Sequence, residues 1–361
     1  MAYTTIDDPT AFFQAKTYTG TGSSNAVTYD GNSDMQPDWL LFKNRQTSLN
    51  WMMWDSVRGI TKYFYSNLDE AEGTTSTVLT AIGSNGFTVG NNNNVNKANE
   101  NIGHWGWKCE AAFSNDASST GIGSIDSAGK VNTDAGFSIV SYTGNATANQ
   151  TVAHGLGVVP NMIIAKNRDN TNTNYNDFIV YHHRSPGTAN DKKIKLNTTD
   201  AASSTNEWGD TDPTSTVFSV HTGGDGATND GSDKIIAYCF AEKKGYSKFG
   251  SYTGNDVADG PFIYTGFKPA LVIIKRSSAT EQWMVYDNKQ LGFNESNNFL
   301  GADNANGEST GAGGNGAIDL VSNGIKIRGT VNGTNADSTY IYMAFAENPF
   351  VTSTGVPTTA R

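Results

Sequence analysis

Apolar residues in this chain fall in short runs rather than at helical spacing. "WLLF", "WMMW", "MIIA", "FIVY", "LVII" and "IIAYCF" are four to six residues long and rich in Val, Ile, Phe, Trp and Tyr. Runs this short with β-branched and aromatic content predict strands. Continuous apolarity, as in "LVII", predicts a strand covered on both faces, whereas "IKIRG" alternates and predicts a half-exposed one. A proline stands just before three of the runs, the first position of a strand, where no ladder donor is needed.

The runs recur in one order. Tyr18-Thr19-Gly20, Tyr142-Thr143-Gly144 and Tyr252-Thr253-Gly254 each open a segment, and a proline-to-lysine phrase follows: "PDWLLFK" (Pro37 to Lys43), "PNMIIAK" (Pro160 to Lys166) and "PALVIIK" (Pro269 to Lys275). Arg45, Arg168 and Arg276 come next. "WMMWD", "FIVYH" and "WMVYD" are then followed by "SNGFTVG", "TVFSVHTGG" and "SNGIKIRG", and each copy closes on an aromatic strand, "HWGWKCEAAF", "IIAYCFAE" or "YIYMAFAE". Five landmarks in fixed order predict a threefold internal repeat. The fold expected is all-β, three tandem antiparallel β-sandwich units of jelly-roll-like form, with a small barrel as the alternative for each unit.

The expected boundaries are an N-terminal arm over 1–15, repeats over 16–113, 136–249 and 250–350, a linker with room for one β-hairpin over 114–135, and an extended tail over 351–361. Asn85-Gly86 and Asn323-Gly324 are expected to supply the φ > 0 pair of type I′ hairpin turns. The short tie "KKGYSKF" between the second and third units predicts a fixed pair of domains.

Composition narrows the function. Asn, Thr, Ser and 39 Gly suit many turns, and a formal charge of −10 argues against duplex nucleic acid as a partner, since phosphate binding needs clustered Lys and Arg. The acidity reads as solubility. No run approaches a membrane span and no export signal is visible, so membrane insertion is not expected. Cys109 and Cys239 are expected as buried free thiols.

Candidate chemistry is sparse. The five histidines show no zinc-ligand spacing, and for His182-His183, neighbours on a strand, one buried and one exposed ring is expected. Asp55 and Asp287 end equivalent strands, with His182 at the same place in the second unit; repetition there reads as a strand-end feature rather than as a carboxylate pair for sugar cleavage. Asp30, Asn32 and Asp34 stand at positions one, three and five of a calcium loop, but Met35 replaces its glycine and no closing glutamate follows. "GGDGATNDGSD" (Gly223 to Asp233) echoes a calcium turn in the same partial way. Trp105 and Trp107 share one face of a strand, which reads first as a tryptophan-rich core and second as a glycan-contact platform. Phe12 and Phe13, outside the repeat, read as an added strand or as an arm docking onto another subunit.

The phrases "YCFAEKKGYSKFGSYTGN", "DGPFIYTGFKPALVIIKR", "WMVYD", "LVSNGIKIRG", "YIYMAFAENPF" and the opening "MAYTTIDDPTAFFQAKTYTG" resemble a module recurrent in structural proteins of tailed bacteriophages, especially phages of marine bacteria. The second unit departs most, with "HHR" in place of the Asp-led segment. The resemblance implies a virion component, tail- or fibre-associated or capsid-decorating, made in the host cytoplasm. It implies no catalytic residues and no cofactor beyond the weak calcium candidates. Other virion proteins, and further copies of the chain in a homo-oligomer, are the expected partners. The alternatives are a lectin-like protein recognising host surface glycans and, behind it, a polysaccharide depolymerase.

Overall fold

Strands account for 45% of the chain in a computed structural model that describes residues 2–169, 176–222, 228–290, 294, 298–310 and 318–358. All ladders between the strands are antiparallel, and they form sandwich-like units along the chain. Each unit has a large sheet with the same strand order. In the first unit Phe13–Thr19 lies beside the closing strand Asn101–Trp107, then come the lysine strand Trp39–Asn44, Met52–Asp55, Lys62–Tyr65 and Gly73–Thr74. The third unit repeats this order with Ser247–Thr253, Thr339–Pro349, Phe267–Arg276, Trp283–Asp287, Asn298–Gly301 and Ser309–Thr310. In the second, Phe137–Thr143, Lys234–Phe240, Met162–Asn167, Ile179–His182, Lys192–Lys195 and Ser203–Ser204 take the same places. A small sheet packs on each: Asn25–Val27, Gly86–Val89 and Leu79–Gly83; Gln150–Ala153 and Val217–Val220; Asp259–Tyr264, Gly324–Arg328 and Ile318–Val321.

The Tyr-Thr-Gly motif has a mechanical role that is the same three times. The hydroxyls of Tyr18, Tyr142 and Tyr252 donate to the carbonyls of Val95, Thr228 and Thr334 at 2.5, 2.7 and 2.7 Å. A Cβ on Gly20, Gly144 or Gly254 would come within 2.0 Å of the carbonyl oxygen of Lys97, Asp230 or Ala336, so only glycine permits this approach. The residue between each pair of carbonyls is a buried asparagine, Asn96, Asn229 or Asn335, whose amide Nδ2 donates to loop carbonyls such as Gly90, Thr147 and Gly329. Motif and asparagine together fix the loop that enters the closing strand.

The large sheets are covered on both faces, and this departs from a row of independent two-layer sandwiches. One face of each meets its own small sheet. Val272 and Ile274 pack with Ile325 and Ile327, Ile163 and Ala165 with Val152 and Phe218, and Leu40 and Phe42 with Phe87 and Val89. The opposite faces of all three sheets form one shared core, with Trp39, Trp105 and Trp107 from the first unit, Ile164, Tyr238 and Phe240 from the second, and Leu271, Ile273, Met343 and Phe345 from the third. Phe345 touches Trp107 at 5.4 Å and Phe240 at 6.0 Å between ring centroids, and these three residues occupy equivalent positions in their closing strands. The period-2 alternation along "IIAYCF" therefore divides two apolar faces between two cores.

Two further expectations are corrected. The stretch 114–135 is not a linker: Ala111–Asn115 and Ser127–Asn132 form a hairpin that extends the second unit's large sheet beyond Phe137–Thr143. The tight turns of the small sheets are Ser84-Asn85 and Ser322-Asn323, one residue earlier than expected, and neither asparagine has φ > 0. Gly86, the first residue after its turn, takes φ +116 and lies against the carbonyl of Val27.

Candidate functional site

The polar residues repeated in the sequence gather at the seams between units. Each seam contains one backbone hydrogen bond at an equivalent place. Glu72 N–H donates to Arg168 O, Ala202 N–H to Ser277 O, and Glu308 N–H to Arg45 O, at 2.9, 2.9 and 2.6 Å. The donor always precedes the short edge strand, and the acceptor is always two residues after the repeated lysine. First joins second, second joins third and third joins first, so the ring of units closes on itself.

The lysines explain their own spacing. Lys43, Lys166 and Lys275 are buried at the ends of their strands, where each ammonium donates to loop carbonyls. Lys43 Nζ reaches Ala305 O of the third unit at 3.2 Å, and Lys275 Nζ reaches Thr199 O of the second at 3.0 Å. Lys166 Nζ lies 5.7 Å from the ring centroid of Phe64 in the first. Burial pushes Lys43 down to about 7 and Lys166 and Lys275 to about 8. Carbonyl dipoles hold the charged form in place of water.

The other repeated positions cross the same seams. Arg45 pairs with Asp287 at 2.5 Å and Glu308 at 2.6 Å, both in the third unit. Arg168 grips Glu72 of the first unit through Nε at 2.8 Å and NH2 at 3.1 Å. Arg276 differs and bonds Ser338 in its own unit. Asp55 accepts from Arg58 at 2.5 Å and from the Tyr238 hydroxyl of the second unit at 2.7 Å. His182, at the equivalent strand end, lies 3.2 Å through Nε2 from Tyr342 O of the third. The indole N–H of Trp51 donates to Gly301 O at 2.8 Å and that of Trp283 to Lys195 O at 2.9 Å, each across a seam.

Asp55 and Asp287 thus sit in different seams, each buried and ion-paired, and do not form a carboxylate pair facing one cleft. Trp105 and Trp107 lie in the shared core with 0% and 1% of their surface exposed, which removes them as a glycan platform; every other residue of "HWGW" faces inward onto the ring axis. Phe13 stacks on Phe345 at 5.2 Å and Phe12 meets Tyr246 edge-on at 6.1 Å, so both are held inside this chain and neither serves as a docking arm. Residues before them run onto the third unit and the tie that leads into it, where Tyr3 donates to Gly266 O and Thr4 to Lys244 O.

Asp30 pairs with Lys16 at 2.9 Å, Asp34 accepts from Asn85 at 2.6 Å, and Asn32 is exposed beside them. No group of three His, Cys, Asp or Glu side chains placed to hold a metal ion occurs among the described residues. Of the second calcium-like stretch, 223–227 lies outside the described residues. His182 is buried as expected for one of the pair, while His183 is half-buried and faces Phe249 O at 2.8 Å. Cys109 and Cys239 are free and buried.

Open space lies beside the seams. A cleft of about 240 Å³ separates the first unit's Ala15 and Asp30 from the third unit's Asn288, Lys289 and Glu347. Its counterpart of about 440 Å³ lies between the third unit's Phe249 and Ser251 and the second unit's His183, Arg184 and Glu242. At the remaining seam the 111–132 hairpin occupies the corresponding place, and its Lys130 crosses to Asp38 of the first unit at 2.8 Å. A polar hollow of about 610 Å³ flanks that hairpin, but Asp116 and Asp126 in its wall are held by the backbone N–H groups of Ser119 and Ala117. The ring of seams was not read from the sequence, where the lysine repeated at one spacing from its proline and the runs apolar on both faces were its traces.

Comparison with curated proteins and with solved structures finds no match. A family model described as a domain of unknown function, DUF7483, matches residues 8–349 in one span across all three repeats, and the chain belongs to that family.

Proposed function

We propose that this protein is a structural component of a bacteriophage virion, tail- or fibre-associated or capsid-decorating, that acts through protein–protein assembly. One observation carries the reading: charged residues that recur at fixed positions, Lys43, Lys166 and Lys275 with Arg45 and Arg168, point into the seams of three units that close into a ring. Repeated polar residues of a catalytic or sugar-binding array would face a common opening. Here they face neighbouring units, as suits a block that must keep its shape under load. The resemblance of the repeat phrases to phage structural proteins supports the same reading, with other virion proteins as partners and a homo-oligomer as the form of assembly.

Purified particles imaged with an antibody against the chain test it. Label confined to tail, fibre or capsid surface is expected, and particles free of the chain would overturn the proposal. Glycan recognition is the weaker reading, since the tryptophans that suggested it are buried.

A further inference from the structure

Of the three equivalent sheet edges two are covered, each in its own way, and one is bare. In an antiparallel pair, alternate residues turn N–H and C=O towards the partner strand and the others turn them away. Lys108 N–H bonds Phe12 O and Gly20 N–H bonds Glu100 O, so the even residues of Phe13–Thr19 face the closing strand and Ala15 and Thr17 face outward. The same parity turns Ile139 and Ser141 outward in the second unit, and Phe249 and Ser251 in the third. In the second unit the strand Ser127–Asn132 pairs with that edge. In the third, side chains cap it: Phe249 O faces His183 Nε2 at 2.8 Å, and its N–H donates to Glu242 Oε2 at 3.4 Å. In the first, Ala15 and Thr17 have no backbone partner on this side among the described residues.

We infer that the Phe13–Thr19 edge is a docking site for an extended segment of another polypeptide, which adds antiparallel to the first unit as Ser127–Asn132 adds to the second. A bare edge is a template for strand addition, and the other two copies of this edge show how the fold otherwise removes it. The cleft beside Ala15 leaves room where the hairpin lies in the second unit. That hairpin also sets the chemistry of the occupant. A Cβ on Gly129, which pairs with Val140, would come within 1.9 Å of Ile139 O, so a small residue is needed opposite Lys16, against the carbonyl of Ala15, the counterpart of Ile139. Asp30, Lys289 and Glu347 along the cleft favour polar side chains on either side of it. This inference stands on the sheet edges alone and holds whatever assembly the chain belongs to.

The test uses the isotope-labelled full chain and a fluorescent peptide with the sequence of residues 126–133, DSAGKVNT. Binding in the micromolar to millimolar range is expected, with amide exchange at Ala15 and Thr17 slowed by about tenfold or more and exchange at Lys16 and Tyr18 unchanged. Ala15→Pro and Thr17→Pro each remove an outward N–H that the fold does not use, and each lowers peptide affinity by about tenfold or more. Should either variant fail to fold, the exchange pattern of the unaltered chain decides. No binding at millimolar peptide, equal binding by both proline variants, or Ala15 and Thr17 amides already as slow as Lys16 without peptide would overturn the inference.

Discussion

The seam between the third and first units and the seam between the second and third are built on the same backbone bond with opposite side-chain chemistry. At the first, Arg45 is enclosed by Asp287 and Glu308. At the second, Ala202 and Ser277 occupy the places of Glu308 and Arg45, and a neutral His182 faces a carbonyl. Both seams hold the same geometry. The ring is therefore fixed by apolar burial and backbone pairing, and the buried ion pairs are additions: the seam between the second and third units holds instead the partly exposed Lys248–Glu242 pair at 2.7 Å. Buried pairs of this kind add little net stability over apolar replacements, yet breaking one is costly.

The largest effect is expected where all three units meet. Phe345→Ala should destabilise the chain by about 3–5 kcal/mol, because the ring is fully buried and its cavity cannot collapse without moving three sheets. Denaturant unfolding followed by tryptophan fluorescence measures it, and a loss confined to third-unit probes would separate the units. Asp287→Ala comes next. It leaves Arg45 with Glu308 alone in a buried site and should cost about 3 kcal/mol, while His182→Gln at the other seam should cost only about 1–2 kcal/mol at pH 7. Equal costs would deny the contrast between the seams.

The seams also differ in their response to acid. Burial holds His182 and His104 down at about 3 and His154 at about 4, so these rings stay neutral in the fold while the unfolded chain takes up protons below about 6.5. The stability they allow is complete above that pH and falls as pH drops, by about 1.4 kcal/mol per pH unit for each fully neutral ring. His182→Gln should flatten the pH dependence between about 6 and 4, measured by thermal midpoints across that range. The smallest effect is expected at a single hydrogen bond of the N-terminal segment: Tyr3→Phe keeps the ring, removes the donor to Gly266 O of the third unit and should cost about 1 kcal/mol, read from the thermal midpoint.

Much of this was legible in the sequence, at the level of strands and repeats. Short β-branched runs marked the strands, and three copies of Tyr-Thr-Gly marked the opening of the units. The ring was harder to read because its contacts join residues of different repeats, such as Arg45 with Asp287, and no local pattern encodes which repeat meets which. One clue was present. "LVII" and "IIAYCF" carry apolar residues on both faces, and a two-layer sandwich covers only one of them. A hairpin was legible in the 114–135 stretch, but its joining the second unit's sheet was not, because its strand "SAGKVN" is small and polar, where Gly129 must lie against Ile139 O. For Trp105 and Trp107 the first reading, a tryptophan-rich core, holds, although aromatic content alone is the same for a core and a sugar platform.

Three repeats fold as one body around a common core, and calorimetric unfolding of the intact chain tests this most directly. A single transition is predicted, with calorimetric and van't Hoff enthalpies in a ratio near about 1. Two or three resolved transitions, or a ratio approaching about 3, would show units that unfold independently and would contradict it.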